Sequence, residues 1–177
     1  MALVPLLVLL IVYQHNGLAL IVFVAAGLTD MLDGLIARKF GRKTYLGTFL
    51  DPAADKLLLV SAFTTLSSSS LGLTVSIPLW LTITVISRDV LLVLSVLIIN
   101  LTIGRQAFPP SILGKCTTVF QLGLVMVVLL SNHLSAEIPG IEFLIYMTLA
   151  LTVTSGVHYM FQGMRLMGTE AEDDGQG

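Results

Sequence analysis

The chain has 177 residues, 55% of them hydrophobic and only 11% charged, and its mean hydropathy is +0.94. A soluble domain carries about a quarter charged residues, so the composition excludes an ordinary soluble globule and points to a single-domain integral membrane protein. The net charge of −2 offers no basic patch for nucleic acid, and the lone Cys116 excludes an intrachain disulfide.

A membrane-spanning helix needs about 20 apolar residues, and the hydropathy pattern predicts six such segments. The first, Ala2 to Tyr13, is short, which predicts that further residues precede it. No basic segment leads into it, so no signal peptide is expected. The second runs from Leu18 to Phe40 and the third from Thr44 to Leu66. The fourth covers Ile77 to Ile103, the fifth Ser111 to Leu130, and the sixth Ile141 to Arg165. Breakers separate them: His15-Asn16-Gly17, Ser67 to Gly72, Phe108-Pro109-Pro110 and Ile138-Pro139-Gly140. The expected architecture is an all-α domain over residues 1–168. A short acidic end, 169–177, holds Glu170, Glu172, Asp173 and Asp174 and reads as disordered. There is no internal repeat of the kind that builds many transporters.

Positive charge orients the helices. With the N-terminus inside, the cytoplasmic connections hold Arg38, Lys39, Arg42, Lys43 and Arg105, and Arg165 ends the sixth helix on the same side. The opposite connections, 14–17, 67–76 and 131–140, have no Lys or Arg. Both termini are therefore expected in the cytoplasm. Trp80 and Pro78 fit an interfacial anchor on the far side.

Four carboxylates stand inside these apolar segments, in the stretch DMLDGLIARKFGRKTYLGTFLDPAAD. Asp30 and Asp33 are at i, i+3 before the basic turn, and Asp51 and Asp55 at i, i+4 after it. Each pair shares one helical face, and at about 1.5 Å per residue both pairs fall at comparable depth. Acids in hydrocarbon are costly unless neutralised. Hard oxygen ligands suit Mg²⁺ or Mn²⁺, and two such ions about 3.5–4 Å apart would clamp a displacement at phosphorus. A proton or cation pathway is the rival reading of intramembrane acids, but it gives no reason for the residues between them. Gly34, Ala37 and Gly47 let a ligand or another helix approach closely. Arg38 can pair with phosphate or serve only as a cytoplasmic anchor, and Thr44 can cap the third helix or meet a ligand.

The spacing D-x2-D-G-x2-A-R-x8-G-x3-D-x3-D resembles the signature of the CDP-alcohol phosphatidyltransferase family, with every fixed position filled between Asp30 and Asp55. The resemblance implies a homodimeric six-helix membrane enzyme of phospholipid biosynthesis. Such an enzyme moves a phosphatidyl group from CDP-diacylglycerol, or a phosphoalcohol group from a CDP-alcohol, onto an acceptor hydroxyl and releases CMP. By similarity, Asp30, Asp33, Asp51 and Asp55 would hold two metal ions, Mg²⁺ or Mn²⁺. Asp55 would also be the base, and Gly34, Arg38, Thr44 and Gly47 would hold the CDP-lipid.

The remaining charges bear on the acceptor. Arg88 and Asp89 lie in an otherwise apolar run, ISRDVLLV. They form either a self-neutralising pair or, through Arg88, a contact for an acceptor phosphate. Lys115, in SILGKCTT, is either a snorkelling side chain or a second phosphate contact, and Arg105 is a third candidate. Lys56 follows Asp55 directly, so it points away from that face and is expected to pair elsewhere. His158 is expected to be packed or interfacial rather than a base. LDPAADKLL, ISRDV and S-x2-G-K-x2-T resemble the branch that makes phosphatidylglycerophosphate and cardiolipin. Glycerol 3-phosphate is the expected acceptor and phosphatidylglycerol the alternative. The first kind often has Asp where His158 stands and a second Lys where Thr117 stands. An ion-coupled transporter is the reading from a different class. The expected setting is a bacterial cytoplasmic membrane.

Overall fold

The computed structural model describes the backbone of residues 3–40, 45–102 and 112–173, and the side chains of 3–29, 56–95 and 112–161. These residues form six α-helices: α1 (Leu3–Val12), α2 (Asn16–Phe40), α3 (Tyr45–Leu66), α4 (Leu79–Thr102), α5 (Ile112–Leu134) and α6 (Ile141–Asp173). One 3-10 turn (Ser69–Leu71) follows α3, and there is no strand among the described residues. Every segment expected from the hydropathy is a helix. Two ends differ. Helix α5 runs a turn past Leu130, and α6 does not stop at Arg165 but continues into the acidic segment read above as a disordered end. Glu and Ala are good helix formers and nothing there breaks the ladder.

Helix α5 is the central packing partner, meeting α2, α3 and α6; α4 packs on α6, and α1 packs on α2 and α3. The inward faces recur at helical spacing: Ala19, Phe23 and Ala26 on α2; Leu59, Ala62, Phe63 and Leu66 on α3; Leu124, Val125, Val128 and Leu129 on α5. Gly17 lets α2 start against the end of α5, since a Cβ there would lie 2.8 Å from the His133 ring. Gly140 precedes α6 with φ +90°, in the left-handed region that glycine tolerates.

Two turns are tied down by side-chain amides. Asn132 accepts from Val75 N–H at 3.1 Å and donates to Val75 C=O and Val128 C=O, each at 2.8 Å. Gln14 donates to Leu71 C=O. These bonds hold the α3–α4 connection over one end of the bundle, where buried backbone groups would otherwise lack partners.

The outer surface is apolar along its length. Leu6, Leu9, Leu18, Ile21, Ile83, Leu94, Val119, Phe143, Val157 and Phe161 are among its exposed side chains, an arrangement that suits lipid rather than water. Among the described residues, Ile112–Leu134 and Ile141–Phe161 are each long and apolar enough to cross a membrane. Trp80 stacks on Tyr146 with ring centroids 6.4 Å apart, both exposed near one end of the bundle, as expected of an interfacial pair.

Candidate functional site

The buried faces of three helices change character in the same direction. On α4, Leu81 and Val85 are followed by Arg88 and Asp89. On α6, Ile141 and Ile145 give way to Thr148, Thr152 and Ser155; on α5, reading backwards from Leu129 to Leu124, the stripe ends in Gln121 and Thr117. The interior is thus apolar toward the loops at 67–78 and 135–140. It turns polar toward the opposite end, to which the α2–α3 turn also belongs. Asn16, Thr82, Ser131 and Asn132 are buried polar residues at the apolar end, and the last two bond to the adjoining loops.

Helix α2 carries Asp30 and Asp33 through its second half, and α3 carries Asp51 and Asp55 through its first half. The helical backbone puts each pair on one face, on successive helices either side of residues 41–44. The side chains of Asp30, Asp33, Gly34, Arg38, Gly47, Asp51 and Asp55 lie outside the described ones, as do Thr44 and Arg105 altogether. Among the described residues, no group of three His, Cys, Asp or Glu side chains could hold a metal ion. The four-carboxylate, all-oxygen donor set on α2 and α3 fits a hard divalent cation.

Among the described residues, the polar interior contains one charged cluster. Arg88 donates from Nη1 to Asp89 Oδ1 at 2.8 Å and from Nη2 to Ser155 Oγ at 2.6 Å. Its guanidinium also lies over Tyr159, 5.9 Å from the ring centroid. Lys56 Nζ stands 3.1 Å from the same Asp89 oxygen, which supplies the partner expected for a side chain pointing off the Asp55 face. Two cations therefore share one carboxylate, and Arg88 Nε is buried with no hydrogen-bond partner among the described residues. Arg88 also borders a groove of ≈ 320 Å³ between α4 and α6, walled by Ile83, Leu91, Thr152, Gly156 and Tyr159.

Not every expected contact gathers here. Lys115 is exposed and lies about 200° around α5 from buried Thr117, at about 100° per residue, so it is not brought to Arg88. His158 is exposed on α6 beside Tyr159, outside the interior. Sequence reasoning missed Ser155 and Tyr159 as partners of Arg88. The signal was available in the polar stripe Thr148, Thr152, Ser155 and Tyr159, which recurs every three or four residues in an otherwise greasy helix.

Residues 1–155 match the CDP-alcohol phosphatidyltransferase family. The chain is 32% identical to the cardiolipin synthase (CMP-forming) of Streptomyces coelicolor, over 91% of this chain and 74% of that protein. It is 33% identical to a probable phosphatidylglycerophosphate synthase of Mycobacterium tuberculosis, over 95% and 79%. Human cardiolipin synthase (CMP-forming) is 37% identical over 70% of this chain and 44% of its own length. The chain belongs to the CDP-alcohol phosphatidyltransferase family. It is a membrane phosphatidyltransferase of phospholipid biosynthesis, from a family that generally depends on divalent metal. The transporter reading is set aside.

Proposed function

We propose that the protein transfers the phosphatidyl group of CDP-diacylglycerol to glycerol 3-phosphate, forming phosphatidylglycerophosphate and CMP. The observation that carries this reading is the buried polarity gradient. It leads from Thr148 and Gln121 to Arg88 at the end of the bundle that also bears the aspartate turns. A cavity that admits a hydroxylated, phosphorylated acceptor requires such an interior. A helix bundle that only packed in lipid would not.

In this reading all six helices span the membrane, the termini and the 41–44 turn face the cytoplasm, and the protein is a homodimer in a bacterial cytoplasmic membrane. Asp30, Asp33, Asp51 and Asp55 hold two divalent ions, Mg²⁺ or Mn²⁺. Bound there, the ions would stabilise negative charge on the attacking and leaving oxygens. Gly34 and Gly47 leave room for the CDP group, and Arg38 and Thr44 contact its phosphates. Asp55 takes the proton of the acceptor hydroxyl. The freed oxygen forms a bond to the β-phosphorus, the bond from that phosphorus to the CMP oxygen breaks, and CMP departs. Arg88, whose Nε has no hydrogen-bond partner among the described residues, meets the acceptor's phosphate; Lys115 and Arg105 add positive charge at the cytoplasmic mouth.

Cardiolipin synthesis from phosphatidylglycerol is the second reading. It is favoured by the Streptomyces relative and by His158 and Thr117 in place of the Asp and Lys often seen in glycerol phosphate enzymes. CMP release by purified protein with Mg²⁺ and CDP-diacylglycerol, with glycerol 3-phosphate and phosphatidylglycerol supplied in parallel, separates the two. Release with glycerol 3-phosphate, lost in Asp55→Asn while CDP-lipid binding persists, is the expected result. Release with phosphatidylglycerol alone would assign the second reading, and retained turnover in Asp55→Asn would remove it as the base.

A further inference from the structure

The Asp89 carboxylate joins three helices. It accepts from Arg88 on its own helix at 2.8 Å and meets Lys56 of α3 at 3.1 Å, while Arg88 reaches Ser155 of α6 at 2.6 Å. Among the described residues, Lys56–Asp89 is the one ion pair that links α3 to another helix. The other described packing of α3 is apolar and lies toward its far end, from Leu58 to Leu66. Apolar contact is non-directional and tolerates some rotation of a helix about its axis. An ion pair at 3.1 Å tolerates less, because its attraction falls as the charges separate and Lys56 would lose its described partner, while Asp89 keeps Arg88.

Lys56 lies between the described apolar packing of α3, from Leu58 to Leu66, and the helical turns that carry Asp51 and Asp55. Successive residues on a helix are about 100° apart. Holding Lys56 against Asp89 therefore fixes the angular setting of the adjoining position 55 and, one turn further, of position 51.

We propose that Lys56 is a positioning residue, its ion pair with Asp89 fixing the rotation of α3 and hence the setting of the turns that carry Asp51 and Asp55. This rests on the reading of those aspartates as metal ligands and base. Arg88 supports the arrangement by anchoring Asp89 to α6 through Ser155. The division of labour leaves Asp89 neutralised even when Lys56 is removed, so Lys56 can be tested without stranding a buried charge.

The test compares Lys56→Met, Lys56→Arg and Asp55→Asn with the parent protein. Two readouts are taken: steady-state kinetics, and the Mn²⁺ concentration that half-maximally stabilises the protein against heat in the presence of CDP. Lys56→Met is expected to lower kcat and raise the Mn²⁺ midpoint by about tenfold or more, the usual loss for partners that orient metal ligands. KM for the CDP-lipid should change little, and Lys56→Arg should restore both quantities toward the parent. Should the Met variant not fold, Lys56→Gln gives the same readouts. A parent-like kcat and Mn²⁺ midpoint in Lys56→Met would overturn the proposal, as would a loss that Lys56→Arg does not repair. The Asp55→Asn arm keeps the two readings apart. Turnover retained there removes the assignment of Asp55 itself, whereas an inactive Asp55→Asn beside a parent-like Lys56→Met removes only the positioning role.

Discussion

Arg88 has more to do than neutralise its neighbour. An Arg-Asp dipeptide in an apolar run can be read as a closed pair, but Asp89 is shared with Lys56, so among the described side chains the cluster has two cations and one carboxylate. Two cations beside one carboxylate favour a further anion nearby. Arg88→Ala leaves Asp89 paired with Lys56, so the protein should fold. A charge-assisted hydrogen bond contributes about 1.5–3 kcal/mol, and each 1.4 kcal/mol is about a factor of ten. The acceptor's KM should therefore rise roughly 10- to 100-fold, with that of the CDP-lipid little changed. Equal rises in both would return Arg88 to a purely structural role. The sequence exposed this residue as a problem, because a charge among apolar neighbours is conspicuous. It could not identify Ser155 and Tyr159 as its partners, since they lie on a helix far along the chain.

The helices themselves were legible because breakers and apolar runs alternate without ambiguity. Their ends were less so. Hydropathy marks where lipid contact stops, while a helix stops where its backbone hydrogen bonds do. Helix α5 therefore continues past Leu130, where Ser131 and Asn132 turn inward to hold the loops beside them. Asn132 makes three hydrogen bonds, two of them to Val75. Asn132→Ala would strand both backbone groups of Val75 and should reduce stability by about 1–3 kcal/mol. A lower melting temperature in detergent with unchanged KM for both substrates is expected, because this clamp sits at the end of the bundle away from the aspartate turns. A substrate-specific KM change would place the loop closer to the chemistry than its packing indicates.

At the scale of the whole molecule, the polarity of the interior and the charge of the connections agree on direction. The interior becomes polar toward the end that bears Arg38 to Lys43, which the positive-inside rule assigns to the cytoplasm. Glu137, exposed in the opposite connection, gives a direct check. In a Cys116→Ser background, Glu137→Cys should react with a membrane-impermeant maleimide in intact cells. Labelling only after lysis would invert the orientation and move the proposed chemistry to the other face. The sequence by itself determined the six helices, their expected orientation, the family and the four aspartates. These follow from local composition and from residues close together in the chain. Only the tertiary structure decided that Lys56, Arg88, Asp89 and Ser155 form one cluster and that three helices share a polarity gradient. Both depend on which faces of α3, α4, α5 and α6 meet, and that rotation is set by contacts between residues far apart in the chain.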